Sequence, residues 1–559
     1  MRNHPFIDIH VHSDLKTFLS ANEERCRLDC WQKEPLTPLI RLIDKILLGS
    51  ILESQSSLSQ LNHSAGTIAI VGRYAFEKAM LKGNLVRILG IRINLLRIAK
   101  ILNLRGQTGI LNYELLKRIS SWRYHYYDLF KEEEPHLLLS ERISPGYKLL
   151  KRISDYDSEK LNVILTIEGG HNLFNKTFGF TYKRDALSNL RDLKFSNEHY
   201  LFMGLAHLSR NRLATHAYGM KLLHDRRFKP VGCGIRKLGR KVIKLALSKP
   251  NRILIDIKHL SLESRKQYYD ILKTEYGQEN IPIIASHTGV TGVSFNHMPV
   301  VKCKRRWRWK KVRYSKPDGL MDTKFNPWSI NLYDEEIQII IDSKGLIGLS
   351  LDERILGTNQ KRKAQLNEYF SSREFSCPTH RCTLEQEMEL EPETDFSPIG
   401  QRINSIKGSL ITILREIDNN PKLFQDIENM LINHPQLLQD FVNLFDKIGE
   451  EYDHLQEEIG HISDNGIKHL CNNILHIVKV AGIKALKHIS IGSDFDGFVD
   501  SIKECKNSTE YHKLAAGLKK WLPLMASTDS TLPDLNNIDQ IVDNIMFRNA
   551  YKFLKINFT

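Results

Sequence analysis

The stretch "FIDIHVHSDL", Phe6–Leu15, sets two histidines one residue apart at the end of an apolar run that begins almost at the N-terminus. In an extended strand successive side chains alternate, so Asp8, His10 and His12 share one side while Ile7, Ile9 and Val11 take the other. Two neutral imidazoles aimed at one point suit a divalent metal. The same pair also fits two ordinary polar side chains near a surface. The choice turns on whether other strand ends along the chain finish in further ligands.

Seven more short apolar runs, each bounded by turn or breaker residues, read as strands. They are "GTIAIVGRY" from Gly66, "VILTIEGG" from Val163, "LFMGLAHLS" from Leu201, "ILIDIKHLS" from Ile253, "PIIASHTG" from Pro282, "LIGLSLDE" from Leu346 and "HISIGSDFDG" from His488. Near-continuous apolar character is expected of strands covered on both faces, and the intervals are long enough for crossover helices. Segments such as "LKRISSWRYHYYDLFK" and "IRKLGRKVIKLALS" carry apolar residues at helical spacing between them. The pattern predicts an α/β fold, a (β/α)8 TIM-type barrel with two insertions at the C-terminal face of the strands.

The predicted boundaries follow. Residues 1–293 carry strands one to six, 294–325 a basic insertion, 326–353 strand seven, 354–462 a mainly helical insertion, and 463–559 strand eight with the closing helices. Insertions leaving strands six and seven would overhang the mouth of the barrel, as a lid, a substrate-selecting wall or an oligomer contact.

Bulk properties agree with a folded enzyme-sized chain. Of 559 residues, 41% are hydrophobic and 26% charged, which argues against wholesale disorder. The N-terminus lacks a signal-peptide apolar run and no segment has transmembrane length, so the expected location is the cytoplasm. Eight irregularly spaced cysteines do not resemble a disulfide framework and are expected to be reduced. "CRLDCW" from Cys26 and "CPTHRC" from Cys377 lack paired CxxC spacing and read as loop cysteines rather than a structural zinc site. The net charge of +15 is partly concentrated in "KCKRRWRWKKVRYSK" from Lys302 to Lys316. Tryptophans interleaved with basic residues can follow phosphates or lie on anionic lipid, but the stretch is short and no nucleic-acid module surrounds it, so it reads as a solvated loop.

In such a barrel the C-terminal strand ends converge, whatever their separation in sequence. Here they offer His10 and His12, Glu168, His207, His259, His287 and Asp494, so six of the eight predicted strands end in a possible ligand. The imidazoles of His10, His12, His259 and His287 would supply neutral nitrogen donors, and Glu168 could bridge two cations about 3.5–4 Å apart. A bridged pair lowers the pKa of the water between them, which can then attack a carbonyl carbon. Asp494 would accept the water's proton and pass it to a leaving amine. His207 would donate to the developing oxyanion or hold the substrate. Lys258, a conceivable bridging carbamate, is set aside because alternation points it away from His259.

The segments "FIDIHVHSDL", "TIEGGHNL", "GLAHLSRN", "LIDIKHLS", "IASHTGV" and "IGSDFDGF" occur in the order and with the local wording of the membrane dipeptidase (renal dipeptidase) family, metallopeptidases of the amidohydrolase superfamily. The chain resembles that family over nearly its whole length apart from the two insertions. The resemblance implies a barrel with a two-zinc centre, other divalent metals being able to replace zinc, that hydrolyses dipeptides in an enzyme often found as a homodimer. Carried over, His10 and His12 would bind the first zinc, Glu168 would bridge, and His259 and His287 would bind the second. His207 would contact substrate and Asp494 would shuttle the proton.

Two departures stand out. The family usually has His-x-Asp where this chain has His10 and His12, which removes one negative charge from the first metal site. In "WSINL", Ile330 falls where the family's substrate-carboxylate arginine would be, and an isoleucine offers no donor unless the insertion or Arg354 supplies one. The expected activity is therefore hydrolysis of a dipeptide or another small amide by a metal-activated water. The alternatives are an amidohydrolase acting on a non-dipeptide amide or lactone, and a weakly catalytic barrel that binds polyanions through its basic insertion.

Overall fold

The computed structural model describes residues 4–19, 30–33, 52–82, 86–88, 91–93, 112–121, 125–132, 146–175, 183–219, 226–305, 307–358, 365–376 and 466–559, with single positions at 44, 96, 99, 137, 405, 436, 443 and 447. Eight parallel strands close on themselves: β1 (Ile7–Val11), β2 (Ile68–Arg73), β3 (Leu161–Ile167), β4 (Tyr200–Gly204), β5 (Leu254–Asp256), β6 (Ile284–Thr288), β7 (Leu346–Leu349) and β8 (Ile489–Ile491). Each pairs with its sequence neighbours, and closure comes where Asp8 of β1 stands opposite Ile491 of β8. These are the eight runs read from the sequence. A short strand, Tyr147–Leu149, adds to the start of β3.

Every residue of these eight strands is buried, because barrel side chains meet either the packed interior or the helical ring. The helix Lys237–Leu247, between β4 and β5, buries Gly239, Val242, Ile243, Ala246 and Leu247, one stripe at helical spacing. Each such aliphatic side chain contributes about 1.5–3 kcal/mol when fully buried. Helices Lys183–Lys194, Leu262–Glu275, Asp334–Asp342 and Gly466–Ala481 occupy the crossovers from β3 to β4, β5 to β6, β6 to β7 and β7 to β8, and Tyr511–Ala526 begins the closing helices. Among the described residues, no helix is long and apolar enough to cross a membrane.

Between β6 and β7 the basic stretch forms an antiparallel hairpin, Val300–Arg305 with Trp309–Ser315, and Gln365–Ser371, which follows β7, pairs with its second strand. The hairpin alternates: Lys310, Val312 and Tyr314 are buried, whereas Trp307 at its turn is 88% exposed. Val312, Tyr314 and Phe370 pack with Tyr218, Trp328, Ile330 and Ile355 in a second, smaller core. Cys303 is disulfide-bonded, so the expectation of reduced thiols fails there. Among the described residues Cys30, Cys233, Cys471 and Cys505 form no disulfide, so the partner of Cys303 lies outside them. Spacing in sequence could not reveal a pairing that joins distant segments. Cys26, Cys377–Cys382 and most of 354–462, including its acidic and amphipathic runs, also lie outside the described residues.

Candidate metal centre

All seven residues singled out from the strand ends come together. His10 is in β1 and His12 one residue past it; Glu168 follows β3 directly and His287 lies within β6. His207, His259 and Asp494 each stand three residues beyond β4, β5 and β8. Glu168 sits at the centre. Its Oε2 is 3.2 Å from His12 Nε2, and its Oε1 is 3.1 Å from His259 Nε2, 3.5 Å from His10 Nε2, and 3.6 Å from the Nε2 atoms of His207 and His287. Asp494 Oδ1 is 3.3 Å from His12 Nε2, and Asp494 Oδ2 is 3.9 Å from His287 Nε2.

The donor set fits divalent cations. His10 and His12 bring their Nε2 atoms to 3.2 Å, and His259 and His287 to 3.1 Å, two inward pairs that can each share only one proton. The outward Nδ1 atoms of His10, His12 and His259 meet no hydrogen-bond partner, although buried polar atoms ordinarily have one. Three overlapping groups have ligand atoms within 4.8 Å of one another: His10, His12 and Asp494; His10, Glu168 and His287; Glu168, His207 and His259. Lone pairs and carboxylates converging without counter-donors are what a cation requires.

His287 shows how one ligand is prepared. The Ser286 hydroxyl donates to Asp256 Oδ2 at 2.5 Å and therefore accepts from His287 Nδ1 at 2.8 Å. That leaves Nε2 without a proton, facing the centre. Asp256 Oδ1 also accepts the backbone N–H groups of Lys258 and Ser286, tying the end of β5 to β6. Asp8 repeats the device: it accepts the backbone N–H groups of His10 and Ser493 and the hydroxyls of Ser493 and Tyr511, tying β1 to the turn after β8. Burial pushes both carboxyls up, and the donated hydrogen bonds pull back.

The field at the centre favours positive charge. Burial alone would raise the Glu168 carboxyl, yet His207, His12 and His10 hold it well below the carboxylate range. Burial opposes protonation of His12, and Glu168 with Asp494 overcomes it and raises this imidazole. Burial keeps His259 neutral, down to about 3, and pushes His287 well down too. Neutral rings beside charged carboxylates offer lone pairs in a cation-seeking potential.

Two neighbours were not legible as site residues. Glu77, buried four residues past β2, places Oε2 3.3 Å from His207 Nδ1, while its Oε1 accepts the amide and hydroxyl of Ser209. Burial would raise its carboxyl, but His207 and His171 hold it down at about 2. The available signal was a carboxylate just beyond a strand end, hidden by the aromatic finish of "GTIAIVGRY". Lys258 corrects the alternation argument. β5 ends at Asp256, and His259 lies in a turn with φ +64°, so Lys258 and His259 line the same cavity. Alternation applies only within an extended strand. Burial pushes the Lys258 amine down to about 8.

A cavity opens above the cluster, with His12, Glu168, His207, His259, His287 and Asp494 in its lining. Met80, Leu208, Ile330 and Ile355 give it an apolar lining; Lys258 and Asp352 are polar. Ile330 and Ile355 belong to the smaller core, so the three-stranded sheet supports this lining. Arg354 reaches the cavity, but its guanidinium forks onto Asp352 and donates to the Phe498 carbonyl.

Comparison with known proteins places residues 322–522 in a match to the family model for membrane dipeptidase, peptidase family M19. Of the seven site residues, that span contains Asp494. No curated protein matches the chain. Among solved structures, the chain is similar to dipeptidase AC, a metallo peptidase of family M19 (13% identity, 99% of each chain covered, TM-score 0.45). It is similar also to a metallo peptidase from Rhodobacter sphaeroides liganded with a phosphinate mimic of the dipeptide L-Ala-D-Ala (13%, 99% of each, 0.44). A third is the probable dipeptidase PvdM from Pseudomonas aeruginosa (12%, 90% of this chain and 88% of that one, 0.43).

Proposed function

From a C-terminal part that matches the membrane dipeptidase family and a donor cluster at the barrel mouth, we propose that this chain is a metal-dependent hydrolase cleaving the amide bond of a dipeptide-sized substrate. One observation carries the reading: Glu168 sits among the imidazoles of both pairs, with Oε2 3.2 Å from His12 Nε2 and Oε1 3.5 Å from His10 Nε2 and 3.1 Å from His259 Nε2. Two divalent cations, zinc on this reading, would be held by His10, His12, His259 and His287 with Glu168 shared between them. When bound, such a pair supplies an acidified water and an electrophile for the substrate carbonyl.

The chain's own residues do the remaining work. Asp494, with Oδ1 and Oδ2 on two sides of the cluster and its side chain 19% exposed, takes the proton released by the attacking water and returns it to the leaving amine. His207, its Nδ1 3.3 Å from Glu77 Oε2 and its imidazole raised, against the effect of burial, by Glu168 and Glu77, presents a protonated Nε2 towards Glu168 and donates to the carbonyl oxygen as negative charge grows there. The apolar lining keeps water scarce around these groups, which strengthens each interaction.

The test is metal content per chain of protein purified without added metal, paired with hydrolysis of simple dipeptides. Two ions per chain with activity are expected, and Glu168→Gln should lose both. Activity that survives complete chelation would overturn the reading. Cleavage of lactones or C-terminally blocked amides, with free dipeptides untouched, would favour the amidohydrolase alternative suggested by Ile330 in the lining.

A further inference from the structure

We propose that Lys258 is the anchor for the free carboxylate of the substrate. The side chain is 3% exposed, lines the cavity beside His259, and its Nζ meets no hydrogen-bond acceptor among the described residues. A buried ammonium without an acceptor is costly, so a partner from outside the chain is the economical explanation.

The neighbouring carboxylates are committed elsewhere. Asp256 accepts the Ser286 hydroxyl and two backbone amides. Asp352 receives the Arg354 fork and the Arg354 backbone N–H. Glu168 and Asp494 face the imidazoles. Arg354, the other cation of the lining, is itself occupied by Asp352 and the Phe498 carbonyl. Met80, Leu208, Ile330 and Ile355, elsewhere in the lining, provide apolar contact and no charge. A small substrate carrying one carboxylate near its scissile amide therefore finds a single uncommitted cation, within the same turn as His259. This inference rests on the amide-hydrolase reading and specifies its substrate as one with a free terminal carboxylate.

The experiment crosses two proteins, parent and Lys258→Met, with two substrates, a dipeptide and its C-terminal carboxamide, on metal-loaded enzyme. Lys258→Met should raise KM for the dipeptide on the order of 10- to 100-fold, the worth of a hydrogen bond to a charged group. KM for the carboxamide and metal content should not change. Equal losses on both substrates, or loss of metal, would show a structural role and overturn the proposal. Lys258→Arg supplies a second variant that keeps the charge, and it should recover part of the preference for the carboxylate. If the parent cleaves neither substrate, calorimetric binding of a reduced-amide dipeptide isostere and its carboxamide still decides. A carboxylate preference that disappears in Lys258→Met upholds the anchor while the hydrolase reading falls, and no preference in the parent sinks the anchor.

Discussion

Ser286→Ala tests whether the centre depends on a prepared ligand. The hydroxyl joins two buried groups, donating to Asp256 Oδ2 at 2.5 Å and accepting from His287 Nδ1 at 2.8 Å. Asp256 keeps two backbone donors after the change, but His287 Nδ1 loses its partner in a site that is 1% exposed. Stranding a buried donor costs about 1–3 kcal/mol, and losing an outer partner of a metal-binding histidine costs about 10- to 100-fold in affinity. At 1.36 kcal/mol per tenfold, that second range is about 1.4–2.7 kcal/mol, so the two routes agree. The assay is zinc titration of metal-free protein against a competing chelator. Ser490→Ala on β8 is the control, because that hydroxyl is equally buried and has no partner to lose. Affinity should fall on the order of 10- to 100-fold for Ser286→Ala and stay unchanged for Ser490→Ala. Parental affinity in Ser286→Ala, or equal losses in both, would refute the reasoning.

Two other outcomes are expected. Glu77→Gln keeps an oxygen for Ser209 but removes the charge that holds His207 Nδ1; kcat/KM should fall about 10-fold or more with metal content intact, and loss of metal would assign Glu77 to folding of the centre instead. Burial pushes Glu368 up from 4.5 to about 8, against the donors of Ser329, so the folded protein holds a proton that the unfolded chain releases above pH 4.5. That contribution is complete below pH 4.5 and is lost as pH rises through 8, so urea unfolding of metal-free protein at pH 5 and pH 8 should show a decline of a few kcal/mol (about 1.4 per pH unit) that Glu368→Gln lacks. Parallel stability profiles would contradict this.

How much was readable in advance follows from local physics. The barrel strands were legible because burial on both faces leaves a continuous apolar run, and even β2, which ends in no metal ligand, carries that mark. The seven polar residues were legible because the barrel's geometry brings its strand ends to one mouth, so identity and distance from a strand end suffice. Glu77 was hidden behind the aromatic finish of its strand, and Lys258 was set aside by a parity rule that holds only within the strand and ends at Asp256. Asp8 and Asp256 were visible only as strand residues. Their task, gripping a serine next to a neighbouring strand, depends on β1 lying beside β8 and β5 beside β6. The Cys303 disulfide and the pairing of Gln365–Ser371 with the basic hairpin join distant segments, and no periodicity encodes such a join.

The site thus divides by origin. The proposed ligands hang on strand ends that Asp8 and Asp256 lock pairwise, and such positions cannot shift without breaking buried hydrogen bonds worth about 1–3 kcal/mol each. The lining comes instead from residues between and after strands. Ile330 and Ile355 are seated on Val312, Tyr314 and Phe370 of the three-stranded sheet. Ile330 and Ile355 offer no donor, whereas Lys258 comes from the turn after β5, so on the proposed reading the substrate's charge is met from the barrel itself.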